Sequence, residues 1–408
     1  MHNHRSSLLA CCMAGWATWA ACTDAPAVAD PPTKVAFTRI SLETVEETNS
    51  GYVAVADLNG DAVMDLVAGL QWFEGPSWCR HVLYPSDPET LIDIGKTLPH
   101  DVDGDGDVDL VGNRRPQELF WFENPGPPAT GTWTKHHITG KVKYPELLMF
   151  ADLDGDGRDE MIGSDDGSGN GIRIYEIPDD PRESVDWKWT TVDSSPLHGL
   201  GVGDLNQDGR LDLVSDFVWF EQVAGGRWTK HSLPTPTTER DSISRQVTAM
   251  QIGVYDVDAD GDKDIVLTRA HNYGVFWLES SGGVRPQFTL HEILPGLLGS
   301  QLHGAAYGDI DGDGDQDVLT GTSRYRHGDP GENDPLDVFW LELVRDQQGV
   351  SWRKHVLASD LSMGFNPAIG DVDGDGDADL ALRGLGLGGH YVIGTRQTRV
   401  TLFLQQND

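Results

Sequence analysis

The chain has 408 residues, enough for two ordinary domains or for one large repeat domain with a sizeable core. Its 30 Lys and Arg stand against 65 Asp and Glu, a formal charge of -35, so phosphate would be repelled and nucleic acid is excluded as a partner. Thirteen Trp and a hydrophobic fraction of 38% exclude a disordered acidic chain and leave a folded one whose acids are neutralised by cations.

In chain order, Arg5 precedes an apolar, small-residue run from Leu8 to Ala21. That run is too short to span a bilayer and has the length of a signal-peptide core. Residues 1–29 are therefore expected to be a signal peptide, 30–34 a short linker and 35–408 the folded domain. Two processing sites are readable. Ala20-Ala21-Cys22 has the form of a lipoprotein box, with a lipid anchor at Cys22, and Ala27-Val28-Ala29 has the form of an ordinary cleavage site. The expectation is an exported protein, extracellular, periplasmic or a lipoprotein of the outer membrane or cell surface, without a transmembrane helix. Cys11, Cys12 and Cys22 lie in this leader, so Cys79 stands alone and no internal disulfide framework is available.

From Asp57 onward one acidic pattern recurs seven times, with first-Asp spacings of 44, 51, 52, 52, 53 and 62 residues. Periods of this size belong to propeller blades. A second signal follows each loop, as in Trp72-Phe-Glu74, Trp121-Phe-Glu123, Trp219-Phe-Glu221, Trp277-Leu-Glu279 and Trp340-Leu-Glu342. A third comes later, as in Trp133-Thr-Lys-His136, Trp228-Thr-Lys-His231 and Trp352-Arg-Lys-His355. Each unit reads as four short strands: a small-residue strand into the loop, a branched-aliphatic strand out of it, then the two aromatic strands. The last unit lacks its fourth strand, and Phe37–Leu42 matches it. The expected fold is all-β, a seven-bladed propeller of four-stranded blades, closed into a ring by the N-terminal strand completing the last blade.

Numbered from its first Asp, each loop carries side-chain oxygens at positions 1, 3, 5 and 9. The candidate ligands are Asp57, Asn59, Asp61 and Asp65; Asp101, Asp103, Asp105 and Asp109; Asp152, Asp154, Asp156 and Glu160; and Asp204, Asn206, Asp208 and Asp212. The last three blades supply Asp256, Asp258, Asp260 and Asp264; Asp309, Asp311, Asp313 and Asp317; and Asp371, Asp373, Asp375 and Asp379. Alternation on a tight loop aims several oxygens inward, as Ca²⁺ requires, and Mg²⁺ would keep more water. Up to seven structural Ca²⁺ ions are expected, replacing the missing disulfides. An EF-hand is excluded because position 12 is Gly112 or Gly163 and the flanks are strands. Blade one is the weakest site, with Asn59 and with Ala62 where Gly is wanted.

These loops and the strands leaving them resemble the FG-GAP/VCBS repeat family, known from integrin α-subunits and secreted bacterial proteins, over about residues 35–408. The Phe-Gly and Gly-Ala-Pro elements of the integrin form are absent. The resemblance implies metal loops on one face and a face opposite free for a protein or carbohydrate ligand, that is, a binding or adhesion module. His-Gly-x-Gly-x-Gly-Asp with Trp-Phe-Glu blades is also similar to the propeller half of fungal aldos-2-ulose dehydratases, which implies a sugar lyase or dehydratase as the alternative. The cupin half of such enzymes is missing.

Residues six before each first Asp are expected at the free end of the axial channel: Gly51, Gly95, Glu146, His198, Met250, His303 and Phe365. Lys96, Arg245 and Asn366 are close in phase, and the longer joining loops add Arg269, His271, Arg324, Arg326, His327 and His390. The candidate pocket is therefore Glu146, His198, Arg245, His303 and Lys96, with a His as general base if there is catalysis. The other reading is a water-lined channel. No nucleophile motif, His-rich zinc site or cofactor fingerprint is expected from the residue pattern. The outer-strand histidines His81, His136, His231, His291 and His355 recur with Trp and are assigned to structure.

Overall fold

The computed structural model describes residues 35–43, 52–84, 94–114, 118–143, 145–165, 171–183, 185–236, 249–297, 301–323, 335–384 and 399–406. The signal-peptide and linker expectations, and Arg245, Arg324, Arg326, His327, His390 and the Lys96 side chain, lie outside the described residues. Lys34–Asp408 forms one compact unit.

Among the described residues, twenty-eight strands make seven separate four-stranded antiparallel sheets. Blade one is β2 (Ala54–Ala56), β3 (Asp65–Ala68), β4 (Gln71–Glu74) and β5 (Cys79–Val82), in that spatial order. Blades two and three are β6 (Ile94–His100) to β9 (Thr134–Thr139) and β10 (Pro145–Ala151) to β13 (Trp189–Asp193). Blades four, five and six run from β14 (Gly201–Gly203) to β17 (Arg227–Ser232), β18 (Ala249–Tyr255) to β21 (Phe288–Ile293), and β22 (Ala305–Gly308) to β25 (Gly349–Ala358). Blade seven is β26 (Ala368–Gly370), β27 (Asp379–Arg383), β28 (Arg399–Gln406) and β1 (Ala36–Glu43). Ala36 pairs with Gln406 and Glu43 with Arg399, so the expected closure is present.

The core is divided among the gaps between neighbouring blades. Seven apolar clusters fill them, for example Trp72 and Val67 against Phe120 and Trp133, or Trp340 and Leu319 against Leu382 and Phe403. The strands leaving the acidic loops are buried on both faces, which is why they read as unbroken aliphatic runs. Small residues line the first strands because the ring is crowded there. A Cβ on Gly203 would lie 2.4 Å from Val254 of the next blade.

The aromatic signals pair across strands. Trp72, Trp121, Trp219, Trp277 and Trp340 sit opposite His81, His136, His231, His291 and His355. Each pair is stacked with ring centroids 4.2–4.6 Å apart. Each imidazole also meets the Glu two residues after its Trp, as His81 meets Glu74 at 3.0 Å and His231 meets Glu221 at 2.8 Å.

Candidate functional site

The two ends of the ring carry different chemistry. At one end, the loops between first and second strands of every blade hold the acids. In blade two the carboxylate of Asp101 accepts the backbone N–H groups of Gly104, Asp105 and Gly106. Asp103 accepts from Asp105, and Asp105 from Asp107. The same arrangement recurs in blade seven with Asp371, Asp373 and Asp375. The loop's own backbone thus fixes the direction of its carboxylates. Carboxylate oxygens of Asp101, Asp103 and Asp109, of Asp152, Asp154 and Glu160, of Asp256, Asp258 and Asp260, and of Asp309, Asp311 and Asp317 gather within 4.8 Å of one another.

Position four is left-handed as well as position six, which the residue pattern alone did not reveal. Gly104 and Gly106 have φ of 74° and 96°, and non-glycines take this conformation at Ala62 (68°), Gln207 (57°) and Ala259 (62°).

The position-nine acids do more than face the loop. In blades one, two and four to seven one oxygen accepts the N–H of position two, as Asp109 does from Val102 at 3.0 Å. The other accepts an N–H from the third strand or its end, as Asp109 does from Asn124 at 2.8 Å. Burial nevertheless pushes these carboxyls up: Asp65, Asp264 and Asp379 to about 6, Asp109 and Asp212 to about 7, and Asp317 to about 8. Glu160 moves the same way for the same reason. A buried oxygen-rich set short of positive charge fits a hard divalent cation. Arg182, from the connection between β12 (Gly171–Tyr175) and β13 of blade three, donates to both Asp103 and Glu123 of blade two.

At the opposite end, three consecutive blades each contribute one imidazole. His198 precedes β14, His303 precedes β22, and His271 lies in the loop joining β19 (Asp264–Arg269) to β20 (Val275–Ser280). All three are buried, at 4%, 4% and 7% exposure. One ring nitrogen of each lies within 4.8 Å of the other two, and the rings meet edge to face with centroids 5.0–5.2 Å apart. His198 Nδ1 lies 2.7 Å from the carbonyl of Ala249. A carbonyl only accepts, so Nδ1 carries a hydrogen, and in the neutral ring the lone pair is on Nε2.

The backbone around the trio is pinned. Asp216 accepts the N–H groups of His198, Gly199 and Ala249, and burial still pushes its carboxyl up against the pull of His198. The carbonyl of Asn272 accepts the N–H of Gln301, whose own carbonyl accepts that of His303. The glycine after each strand-entry histidine admits the next blade: a Cβ on Gly199 would lie 2.9 Å from the Met250 carbonyl, and one on Gly304 2.5 Å from the Gly364 carbonyl.

The structure therefore joins His198 and His303, as the phase implies, and adds His271 from a loop of another phase. Glu146 is buried in the first strand of blade three, and the imidazole group forms without it. Beside the trio, Phe365 packs edge-on against His303 at 4.6 Å and tilts against Tyr52 at 5.7 Å. The axis is bridged by polar side chains: Gln251 of blade five donates to the Phe365 carbonyl at 3.0 Å and accepts from Ala305 N–H at 3.1 Å. A separate open groove of about 710 Å³ lies at the outer gap between blades four and five, lined by Trp219, His231 and Phe288. Its histidine is already held by Glu221 and Trp219.

The FG-GAP-like repeat family matches residues 101–163, 152–215 and 256–320. No curated protein matches the chain in sequence. Among solved structures, the chain is similar to an Agrocybe aegerita lectin described with specific recognition of non-reducing terminal N-acetylglucosamine. Identity there is 15%, over 87% of this chain and 96% of that one, with a TM-score of 0.48. It is also similar to BBS1N in its complex with ARL6DN (12% identity, 89% and 96% covered, TM-score 0.49). A third is the V. cholerae biofilm matrix protein Bap1 (12% identity, 86% and 66% covered, TM-score 0.38).

Proposed function

The chain is an FG-GAP-repeat β-propeller, and from that premise we propose that it is a Ca²⁺-fastened binding module which receives a carbohydrate ligand at the end of the ring opposite its acidic loops. The observation that carries this reading is the buried imidazole trio shared by blades four, five and six, with Tyr52 and Phe365 beside it. Aromatic rings next to converging polar groups suit a sugar ring, which offers an apolar face and a rim of hydroxyls; Tyr52 and Phe365 are themselves buried, so the ligand would meet them at the inner end of the site. Ca²⁺ acts at the other end, held by the side-chain oxygens at positions 1, 3, 5 and 9 of each loop, and serves stability there. Export belongs to the same proposal and rests on the residue 1–29 pattern, with processing before Cys22 or after Ala29.

A glycan array probed with the Ca²⁺-loaded protein tests the ligand. His198→Ala and His303→Ala are expected to abolish binding, and binding that survives both would remove the ligand from this end. A second reading, a sugar lyase or dehydratase, is favoured by the Nδ1 contact of His198 to the Ala249 carbonyl, which in the neutral ring leaves Nε2 to take a proton. Array hits incubated with the protein would then yield an unsaturated product, lost in His198→Ala.

A further inference from the structure

The geometry points to a second kind of metal centre in this protein: His198, His271 and His303 bind one late first-row divalent ion, of which Zn²⁺ is the representative, with one coordination position left open. Four observations carry it. Three imidazoles converge from three blades with one nitrogen each inside a 4.8 Å group, all at or below 7% exposure. His198 donates through Nδ1 to the Ala249 carbonyl, the arrangement that fixes the other nitrogen of a histidine as a ligand. Asp216 holds the backbone of His198 and of Ala249 together, so donor and orienting carbonyl are set by one side chain. The Asn272–Gln301–His303 backbone chain ties the other two imidazole-bearing loops to each other.

Donor chemistry selects the ion. Imidazole nitrogen suits Zn²⁺ and its neighbours, whereas Ca²⁺ takes oxygen. The carboxylate loops and the histidine trio are therefore orthogonal sites at opposite ends of one ring. With Zn–N bonds of about 2.0–2.1 Å the three nitrogens would close to roughly 3.4 Å apart, an adjustment within the reach of side-chain rotation. Three protein ligands leave the fourth position for water or for an oxygen of a bound molecule, unlike a structural zinc site, which is closed by four. Zinc binding at the trio does not require the carbohydrate ligand proposed above, but it takes up the His198 nitrogen that the lyase reading uses as a base, so that reading and the metal exclude each other.

The test measures metal directly on the full-length protein as purified. After dialysis in millimolar Ca²⁺ with trace Zn²⁺, mass spectrometry of the metals is expected to find one zinc per chain. His198→Ala, His271→Ala and His303→Ala should each weaken zinc binding by more than about a hundredfold, since even outer-shell partners cost up to that much. His291→Ala, in an outer strand and stacked on Trp277, should keep its zinc. Should a trio variant fail to fold, Co²⁺ added to the unsubstituted protein gives the answer, because a four-coordinate site shows intense visible bands that Zn²⁺ abolishes and Ca²⁺ does not. Substoichiometric zinc, zinc retained by all three variants, or only the weak bands of six-coordinate Co²⁺ would overturn the inference. Zinc retention without any glycan binding would sink the ligand proposal alone, and glycan binding by protein that takes up no zinc would sink this one alone.

Discussion

Ala62 stands at position six of the first acidic loop with φ of 68°, where the other six loops carry glycine. A left-handed alanine costs about 1–2 kcal/mol, and glycine loses up to about 1 kcal/mol more entropy on folding. Ala62→Gly is therefore expected to stabilise the protein by about 0.5–1 kcal/mol, read as a rise in the urea midpoint. A fall would mean that the methyl group makes a contact worth more than the strain. The loop residues were legible because each site is local, a run of nine residues repeated seven times. The histidine trio was only partly legible. His198 and His303 share a phase, but His271 reaches them through the loop after a second strand, and only the ring's curvature brings that loop inward. Glu146 had the right phase, yet the imidazoles of blades four to six meet without it.

Among elements, the third strand of one blade is strapped to the loop of the blade before it. Asn124 Nδ2 donates to the Leu58 carbonyl at 2.9 Å, and Gln222 Nε2 to the Leu153 carbonyl at 2.8 Å. Arg345 Nε reaches the Val257 carbonyl at 2.7 Å. In each case the accepting residue is position two of the preceding blade's loop. Asn124→Leu or Gln222→Leu would leave a buried carbonyl unanswered, at a cost of about 1–3 kcal/mol. The midpoint of chemical unfolding should fall accordingly; an unchanged midpoint would show that water replaces the strap. The signal was present in the sequence, since Asn124 and Gln222 both follow Trp-Phe-Glu, but a polar residue after a strand reads as a turn until its neighbour is known. Blade count and strand order were legible because three aromatic and acidic signals keep phase, and phase alone dictates a ring.

For the whole molecule, the acids set how stability responds to pH and to cations. A carboxyl whose folded value is raised, such as Asp317 at about 8 or Asp212 at about 7, takes up a proton more readily folded than unfolded. It therefore stabilises the fold as pH drops through that value toward about 4. Metal-free protein should melt at a higher temperature at pH 5 than at pH 8. With Ca²⁺ bound the cation replaces the proton, so the order should invert. Each loop site would add about 1.4 kcal/mol when free Ca²⁺ is tenfold above Kd, with Kd on the order of 10⁻⁴–10⁻³ M. Melting curves with and without EDTA check this, and a curve indifferent to EDTA would remove Ca²⁺ from the account of stability.

The seam between β1 and β28 has a mechanical consequence. Ala36 and Gln406 face each other at the same end of that ladder, so tension applied through them in opposite directions would separate the residue pairs in turn. Such peeling loads single hydrogen bonds in succession, whereas sliding would load the whole ladder together. Under tension the ring would open at this seam while the other six blades stayed intact.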